Sequence, residues 1–435
     1  MQKNKNKVLF LILMLFFTGI GAAFAQTTDA LGTYTPYSLY GLGEIAKPGT
    51  AINKAMGGIG VGVRDNTYIN YVNPASITQR DTLSFMLDFG INQRNFYNSD
   101  GKSKSAYHTF NMHNVMFTAP IYKKSALIVG IAPYSDVGYK FESTETDDNL
   151  VSKYGDIKYQ KYGTGSVSQF FLGAATNLFK HFSIGAQYVY YFGAIDRYSN
   201  VNFNSATGMR NLETGWDYAL GASSAFFGIQ YFGNINKKKD VELVVGATYR
   251  MAANLKGDFT RFSYAYDDMI RDTVVNDLYE NAKFTISDEI SAGFSVRKRD
   301  KWMFGFDYVR QDWTNSSFAT TPGVKFTPSV ASYYKLGIEF IPNKYDIRYY
   351  MKRATYRVGA YYEQSYMTIG AHQINSAGVT LGMSLPISRL YNAVNVSLDM
   401  GQRGTIKENL VRERYIQLNI NISLHDIWFM KYLYQ

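Results

Sequence analysis

The chain has 435 residues, a formal net charge of +10 and a mean hydropathy of −0.21, with 37 tyrosines, 29 phenylalanines and no cysteine. The absence of cysteine excludes a disulfide framework, a thiolate metal site and a lipid-modified N-terminal cysteine. Negative hydropathy without any later apolar stretch of about 20 residues excludes a helical membrane protein.

Lys3, Lys5 and Lys7, the apolar run Val8 to Phe17 and the small-x-small element Ala23-Phe24-Ala25 form a signal peptide over residues 1–25, with cleavage expected before Gln26. An uncleaved anchor is the alternative, but the apolar run is too short to cross a bilayer as a helix. Loss of those three lysines brings the formal charge from +10 to +7. Many remaining cations sit in predicted turns, such as Lys237-Lys238-Lys239 and Arg297-Lys298-Arg299, so no nucleic-acid partner is expected.

Residues 26–80 show neither strand nor helix rhythm. They contain Gly57-Gly58-Ile59-Gly60-Val61-Gly62 and then Asn70-Tyr71-Val72-Asn73-Pro74-Ala75-Ser76. The glycine run lacks the preceding strand and the G-x-G-x-x-G spacing of a nucleotide loop, so tight turns and close backbone packing are the better reading. Its apolar residues would be costly to leave in water, which predicts a plug folded back into a lumen. Ala55-Met56-Gly57-Gly58-Ile59-Gly60-Val61-Gly62, Asp65 and Asn73-Pro74-Ala75-Ser76 resemble the N-terminal hatch of the FadL family of outer-membrane transporters. That resemblance implies a barrel of fourteen strands, an N-terminal plug formed here by Gly57, Gly58, Gly60, Gly62, Asn73, Pro74 and Ala75, a kinked third strand, and transport of long-chain fatty acids or similar hydrophobic molecules.

From residue 82 onward, apolar and polar side chains alternate in segments of about ten residues separated by turns, which is the pattern of a transmembrane β-barrel. The strands expected are 82–93, 106–119, 125–139, 164–178, 182–198, 214–231, 241–255, 284–297, 302–312, 332–341, 354–363, 377–386, 391–402 and 413–424. The fold class is therefore all-β: an antiparallel transmembrane barrel of about 14 strands over 81–435, with the plug before it. Ile416, Leu418, Ile420, Ile422 and Leu424 should face lipid, with Gln417, Asn419, Asn421 and Ser423 facing the lumen. The long connections 140–163, 199–213, 256–283 and 313–331 are read as outer loops, and the short ones as periplasmic turns.

The third strand contains Pro133, which lacks the N–H a ladder requires, in a wall with no edge strand to tolerate it. Local loss of pairing is expected there, either as a simple bulge or, as the resemblance implies for Pro133-Tyr134, as a lateral opening. Alternation turns Arg250, Lys335 and Arg357 inward. They are candidates to hold a ligand carboxylate, or else members of an internal ion network with Glu339, Asp307 or Asp399.

The five histidines, His108, His113, His181, His372 and His425, are dispersed, and neither H-E-x-x-H nor G-x-S-x-G occurs. No enzyme activity, cofactor or metal is expected. Trp428, Phe429, Tyr432 and Tyr434 near the C-terminus suit an interfacial anchor or a signal for the barrel-assembly machinery. The expected partners are a hydrophobic small-molecule ligand, outer-membrane lipid and that machinery during biogenesis, for a monomer in the outer membrane of a Gram-negative cell. A second reading stays open, because the shuttle barrel of the type IX secretion system is similar in its glycine-rich, Asn-Pro-Ala-bearing N-terminus.

Overall fold

The computed structural model describes residues 31–80, 84–122, 124–203, 208–236, 238, 240–267, 269–318, 325–387 and 392–427. The leader and the aromatic C-terminal segment 428–434 lie outside the described residues. The compact unit begins at Gly32.

Fourteen wall strands follow in chain order: β1 (Ser84–Ser99), β2 (Lys104–Tyr122), β3 (Ser125–Thr144), β4 (Ile157–Leu178), β5 (Phe182–Phe203), β6 (Asn211–Asn236), β7 (Val241–Arg250, continued as Ala253–Tyr266), β8 (Arg271–Ile286, continued as Glu289–Lys298), β9 (Trp302–Asp312), β10 (Val330–Phe340), β11 (Thr355–Ile369), β12 (His372–Pro386), β13 (Ala393–Arg403) and β14 (Arg412–Ile427). Each pairs antiparallel with its chain neighbours. The last closes on the first from Arg412 opposite Ser99 to Ile427 opposite Ser84. Closure removes the two outer edges of an open sheet, the arrangement in which strands satisfy their backbone groups inside a bilayer.

The alternation read from the sequence is the alternation of faces. Ile416, Ile422 and Leu424 are exposed, whereas Asn419, Asn421 and Ser423 are buried in the bore. Tyr334, Leu336, Ile338 and Phe340 on β10 and Val379 and Leu381 on β12 continue the greasy outer surface.

One half of the wall is much taller than the other. β6 has 26 residues and β9 has 11, against the roughly 9–11 that a tilted strand needs to cross a membrane. The stretch 256–283, expected as a loop, is instead the upper arm of the β7–β8 hairpin, in which Phe259 stands opposite Tyr279 and Arg271 opposite Tyr266. Its Asp, Thr, Arg and Asn content is that of a strand with water on its faces, so the lipid-against-lumen contrast that marks the other strands is lost there. The turn is closed by Asp267, whose N–H donates to Ile270 O and whose carboxylate accepts from Ile270 N–H. Likewise β3 reaches Thr144 and β4 starts at Ile157, with a short helix, Asp148–Tyr154, between them.

Residues 32–80 contain two 3-10 turns, Pro36–Leu39 and Pro74–Thr78, a two-residue ribbon, Glu44–Ile45, and one short helix, Ala51–Ala55, whose N-terminus is closed by a Thr50/Asn53 capping box. The helix packs on β11 to β14, the second 3-10 turn on β3 to β6, and the ribbon on β3. Only the bore gives access to all of these strands at once. Ile52, Met56, Ile59, Val63 and Tyr68 bury against Met303 of the wall. Each such side chain contributes on the order of 1.5–3 kcal/mol when fully removed from water.

Candidate functional site

The glycine loop is seated on wall side chains. Gly60 and Val61 N–H donate to Asp307 Oδ2 at 2.6 and 2.8 Å, Gly57 N–H donates to Thr380 Oγ1 at 2.9 Å, and Gly62 O accepts from Ser295 Oγ at 2.6 Å. Gly57 and Gly58 have φ of +67° and +87°. A Cβ at Gly57 would stand 2.5 Å from Ala360 O, so this position demands glycine on conformation and on space. The wall answers in kind, since a Cβ at Gly246 would lie 2.0 Å from Val61 O and one at Gly228 would lie 2.1 Å from Asn73 Oδ1.

Asn73, Pro74 and Ala75 form the start of the second 3-10 turn. Asn73 Oδ1 accepts from Ala75 N–H at 3.0 Å, while its Nδ2 donates to Val61 O at 2.8 Å and to Ile229 O of β6 at 3.3 Å. One amide thus caps the turn, ties it to the glycine loop and ties both to the wall. Ala75 O accepts from Ser183 Oγ at 2.7 Å.

Ionic contacts join plug to wall at more than one place. Asp65 pairs with Arg297, whose other guanidinium nitrogen is 3.7 Å from Glu339, and Glu339 holds Arg357 at 2.8 Å. Burial pushes the Asp65 carboxyl up, but the Arg297 charge outweighs it and the group is held below the usual carboxylate range. Arg357 is therefore committed to Glu339. On the opposite flank Lys47 Nζ lies 3.0 Å from Asp399 and 3.4 Å from the Tyr361 ring centre. Lys54, on the plug helix, is fully enclosed, with Nζ 3.3 Å from His113 Nδ1 and 3.4 Å from Asn419 Oδ1. His113 Nε2 in turn meets Gly49 O at 2.9 Å. Burial pulls the Lys54 amine down to about 7.

Between plug and wall lies a small, partly open cavity lined by Ile45, Lys47, Tyr134, Arg250, Lys335 and Glu363 among others. Arg250 donates to Gln169 at 3.0 Å and to Tyr191 at 3.2 Å, and sits 3.9 Å from Glu289. Lys335 faces Asp307 across the ladder but makes no ion pair among the described residues. Of the three inward cations expected from the sequence, the structure brings Arg250 and Lys335 to this cavity and leaves Arg357 outside it.

Pro133 and Tyr134 stand where the wall ladder ends. β2 and β3 pair from Tyr122 opposite Ser125 up to Val115 opposite Ile131 and no further, and β3 carries a bulge at Tyr134 on its other side, towards β4. Above Ile131 the partner of β3 is the plug. Glu44 and Ile45 stand opposite Asp136 and Ser135, Ala46 N–H donates to Tyr134 O at 2.8 Å, and Thr35 N–H donates to Gly138 O at 3.1 Å. From the other side, Asn111 of β2 donates to Gly32 O at 2.7 Å and Tyr107 stacks on Tyr34 with centroids 4.5 Å apart. The plug segment thus lies across the interval between the two strands.

The sequence reading missed Glu44, Lys47, Arg94 and Arg403, which meet in the bore. A lone acid in an otherwise apolar plug segment was the available signal. Their positions on separate strands are invisible in one dimension.

A closed fourteen-strand barrel with its N-terminal segment packed against the bore is the FadL-type fold. Solved structures that share it include the CymD monoaromatic hydrocarbon channel (15% identity, 88% of this chain and 97% of that one, TM-score 0.57), a FadL homologue of Pseudomonas aeruginosa (11%, 89% and 100%, 0.57) and the toluene transporter TbuX of Ralstonia pickettii (14%, 87% and 98%, 0.53). No curated protein matches the chain by sequence. The sequence model of the BamG family matches residues 5–435, and the chain belongs to that family.

Proposed function

We propose that the protein carries a hydrophobic or amphipathic small molecule, a long-chain fatty acid or similar, across the outer membrane of a Gram-negative cell, after cleavage of its leader and insertion by the barrel-assembly machinery as a monomer. The observation that carries this reading is the cavity itself. It lies between plug and wall, its lining mixes apolar surface with the ammonium of Lys335, and Ile45 and Tyr134 place it beside the point where the wall ladder ends. An alkyl tail gains by burial and an acid headgroup by charge. The route enters among the tall strands, descends to the plug near Asn73 to Ala75, and leaves sideways past Pro133. The structures that share the fold include a monoaromatic hydrocarbon channel and a toluene transporter, which supports the same ligand class. Uptake of radiolabelled palmitate by cells should fall on deletion of residues 26–50 and on Pro133→Ala, and unchanged uptake in both variants rejects the route.

A second reading, an accessory barrel of a secretion apparatus, is favoured by the tip of the β7–β8 hairpin. Met269, Ile270, Val274 and Leu278 are exposed there, above the height a membrane-crossing strand requires. A photocrosslinker at Leu278 that captures a secretion component in cells would favour it over transport.

A further inference from the structure

Glu44 occupies a site built for a carboxylate. Its Oε1 accepts from Arg94 Nη1 at 2.7 Å and from Arg403 Nη2 at 2.6 Å, while Oε2 accepts from Thr33 Oγ1 at 2.9 Å. Both arginines belong to the wall, on β1 and β13, and are held there independently of Glu44. Arg94 lies over the rings of Phe96 and Tyr415 at 4.5 and 4.3 Å, and Arg403 lies 5.9 Å from the Tyr415 centroid. Behind them, Glu413 of β14 is wholly buried, 3.8 and 3.7 Å from the two guanidiniums. Two wall cations against one wall anion leave a single positive charge, which the plug carboxylate neutralises. Burial raises the Glu44 carboxyl, but Arg403 and Arg94 together overcome that and keep it ionised.

The chain places this contact at the head of the ribbon that closes the wall. Glu44 and the next residue, Ile45, supply the pairing with Asp136 and Ser135, while Ile45, Ala46 and Lys47 line the cavity. A headgroup arriving in the cavity therefore lies beside the residue that fastens the ribbon.

We propose that the Arg94–Arg403 pair is an anion site occupied by the plug's own Glu44, and that the carboxylate of an amphiphile in the cavity exchanges with Glu44 and so frees the Glu44–Ile45 ribbon from the edge of β3. This rests on the transport reading. No bond is made or broken in the exchange; one carboxylate replaces another on two fixed guanidiniums, so the charge at the arginine pair is unchanged, and the displaced Glu44 carries its own charge away with the ribbon. A molecule with the same tail and no charge would fill the cavity and leave the ribbon in place.

The cysteine-free chain makes the test direct. Ile45→Cys and Ser135→Cys sit opposite each other in the ribbon pairing, and the rate of disulfide formation under mild oxidation reports how long the ribbon stays docked. In detergent-solubilised full-length protein, palmitate should slow the reaction by on the order of 10-fold, and hexadecanol should not, since one charge-assisted contact distinguishes them. With Glu44→Gln added, the reaction should be slow from the start and insensitive to palmitate. Retention of radiolabelled palmitate is measured on the same samples. Palmitate that binds without changing the rate, or hexadecanol that changes it equally, overturns the exchange and leaves transport standing. Failure to bind palmitate at all removes the transport reading and this proposal with it. Should Glu44→Gln not fold, the palmitate and hexadecanol comparison in the Glu44 background still decides.

Discussion

The lower and upper parts of β3 are closed by different means. Below Ile131 its edge is taken by β2, a chain neighbour joined through a tight turn, so pairing costs little loop entropy. Above Ile131 the same edge is taken by Glu44, Ile45, Thr35 and Ala46, which come from about 90 residues earlier in the chain and arrive through the bore. An uncovered edge in a bilayer would leave N–H and C=O groups unsatisfied at several kcal/mol each. The lower closure is thus part of the wall. The upper one lies outside the wall's own pairing, which β4 maintains along β3 from Ser125 to Thr144.

Removing residues 32–46 should break this contrast most strongly. Gly138 N–H, which donates to Ser38 Oγ at 3.0 Å, should exchange its hydrogen at least about 100-fold faster, while the amides of Ile128 to Ile131 stay protected. Equal acceleration in both stretches would mean that the wall depends on the plug throughout. Asp307→Ala should come next, since it strips two charge-assisted hydrogen bonds from the Gly60 and Val61 amides and weakens plug docking by about 2–4 kcal/mol. Protease protection of the plug against rising denaturant measures this, and the β2–β3 contact below Ile131 should be unaffected.

A pH series sharpens the comparison further. The Lys54 amine sits at about 7 in the docked plug, below its ordinary range, so docking is accompanied by proton release once the solution pH exceeds that value. Plug protection should therefore be flat below pH 7 and should rise from there towards pH 10, where a released lysine also becomes neutral. Lys54→Met should abolish the rise; a rise that persists would assign it to another group. The smallest effect on stability is expected from Pro133→Ala, which restores one N–H at a bulge and should change unfolding by less than about 1 kcal/mol. Any change in uptake by that variant then reports on the proposed lateral route and not on the fold.

The barrel was legible because a wall between lipid and a filled bore imposes period-two alternation, and Ile416 to Leu424 or Trp302 to Val309 could satisfy it in only one way. Where that constraint lapses, reading from the sequence lapsed too. Residues 256–283 pair as strands with water on their faces and carry no apolar signal. His113 is another such case. It lies at a bulge opposite Gly90 and Ile91, so His113 and Asn114 are both turned inward, against simple alternation. The glycine loop and Asn73-Pro74-Ala75 announced themselves by composition. The partners that seat them, Asp307, Ser295 and Thr380, look in the sequence like any other lumen-facing polar residues. The arginines that grip Glu44 are more than 300 residues apart in the chain, and no local pattern joins them.

The wall glycines opposite the plug have a corollary of their own. Gly246 and Gly228 contribute bare main chain where Val61 and Asn73 lie against the wall, so the plug backbone comes nearest the barrel backbone there. With the plug withdrawn entirely, that girdle would be a hydrated waist lined by the polar side chains, such as Asp307, Ser295 and Gln230, that now hold the plug. Such a waist would pass ions freely, and a steady current across a planar bilayer would mark the loss of the plug more plainly than any change in shape.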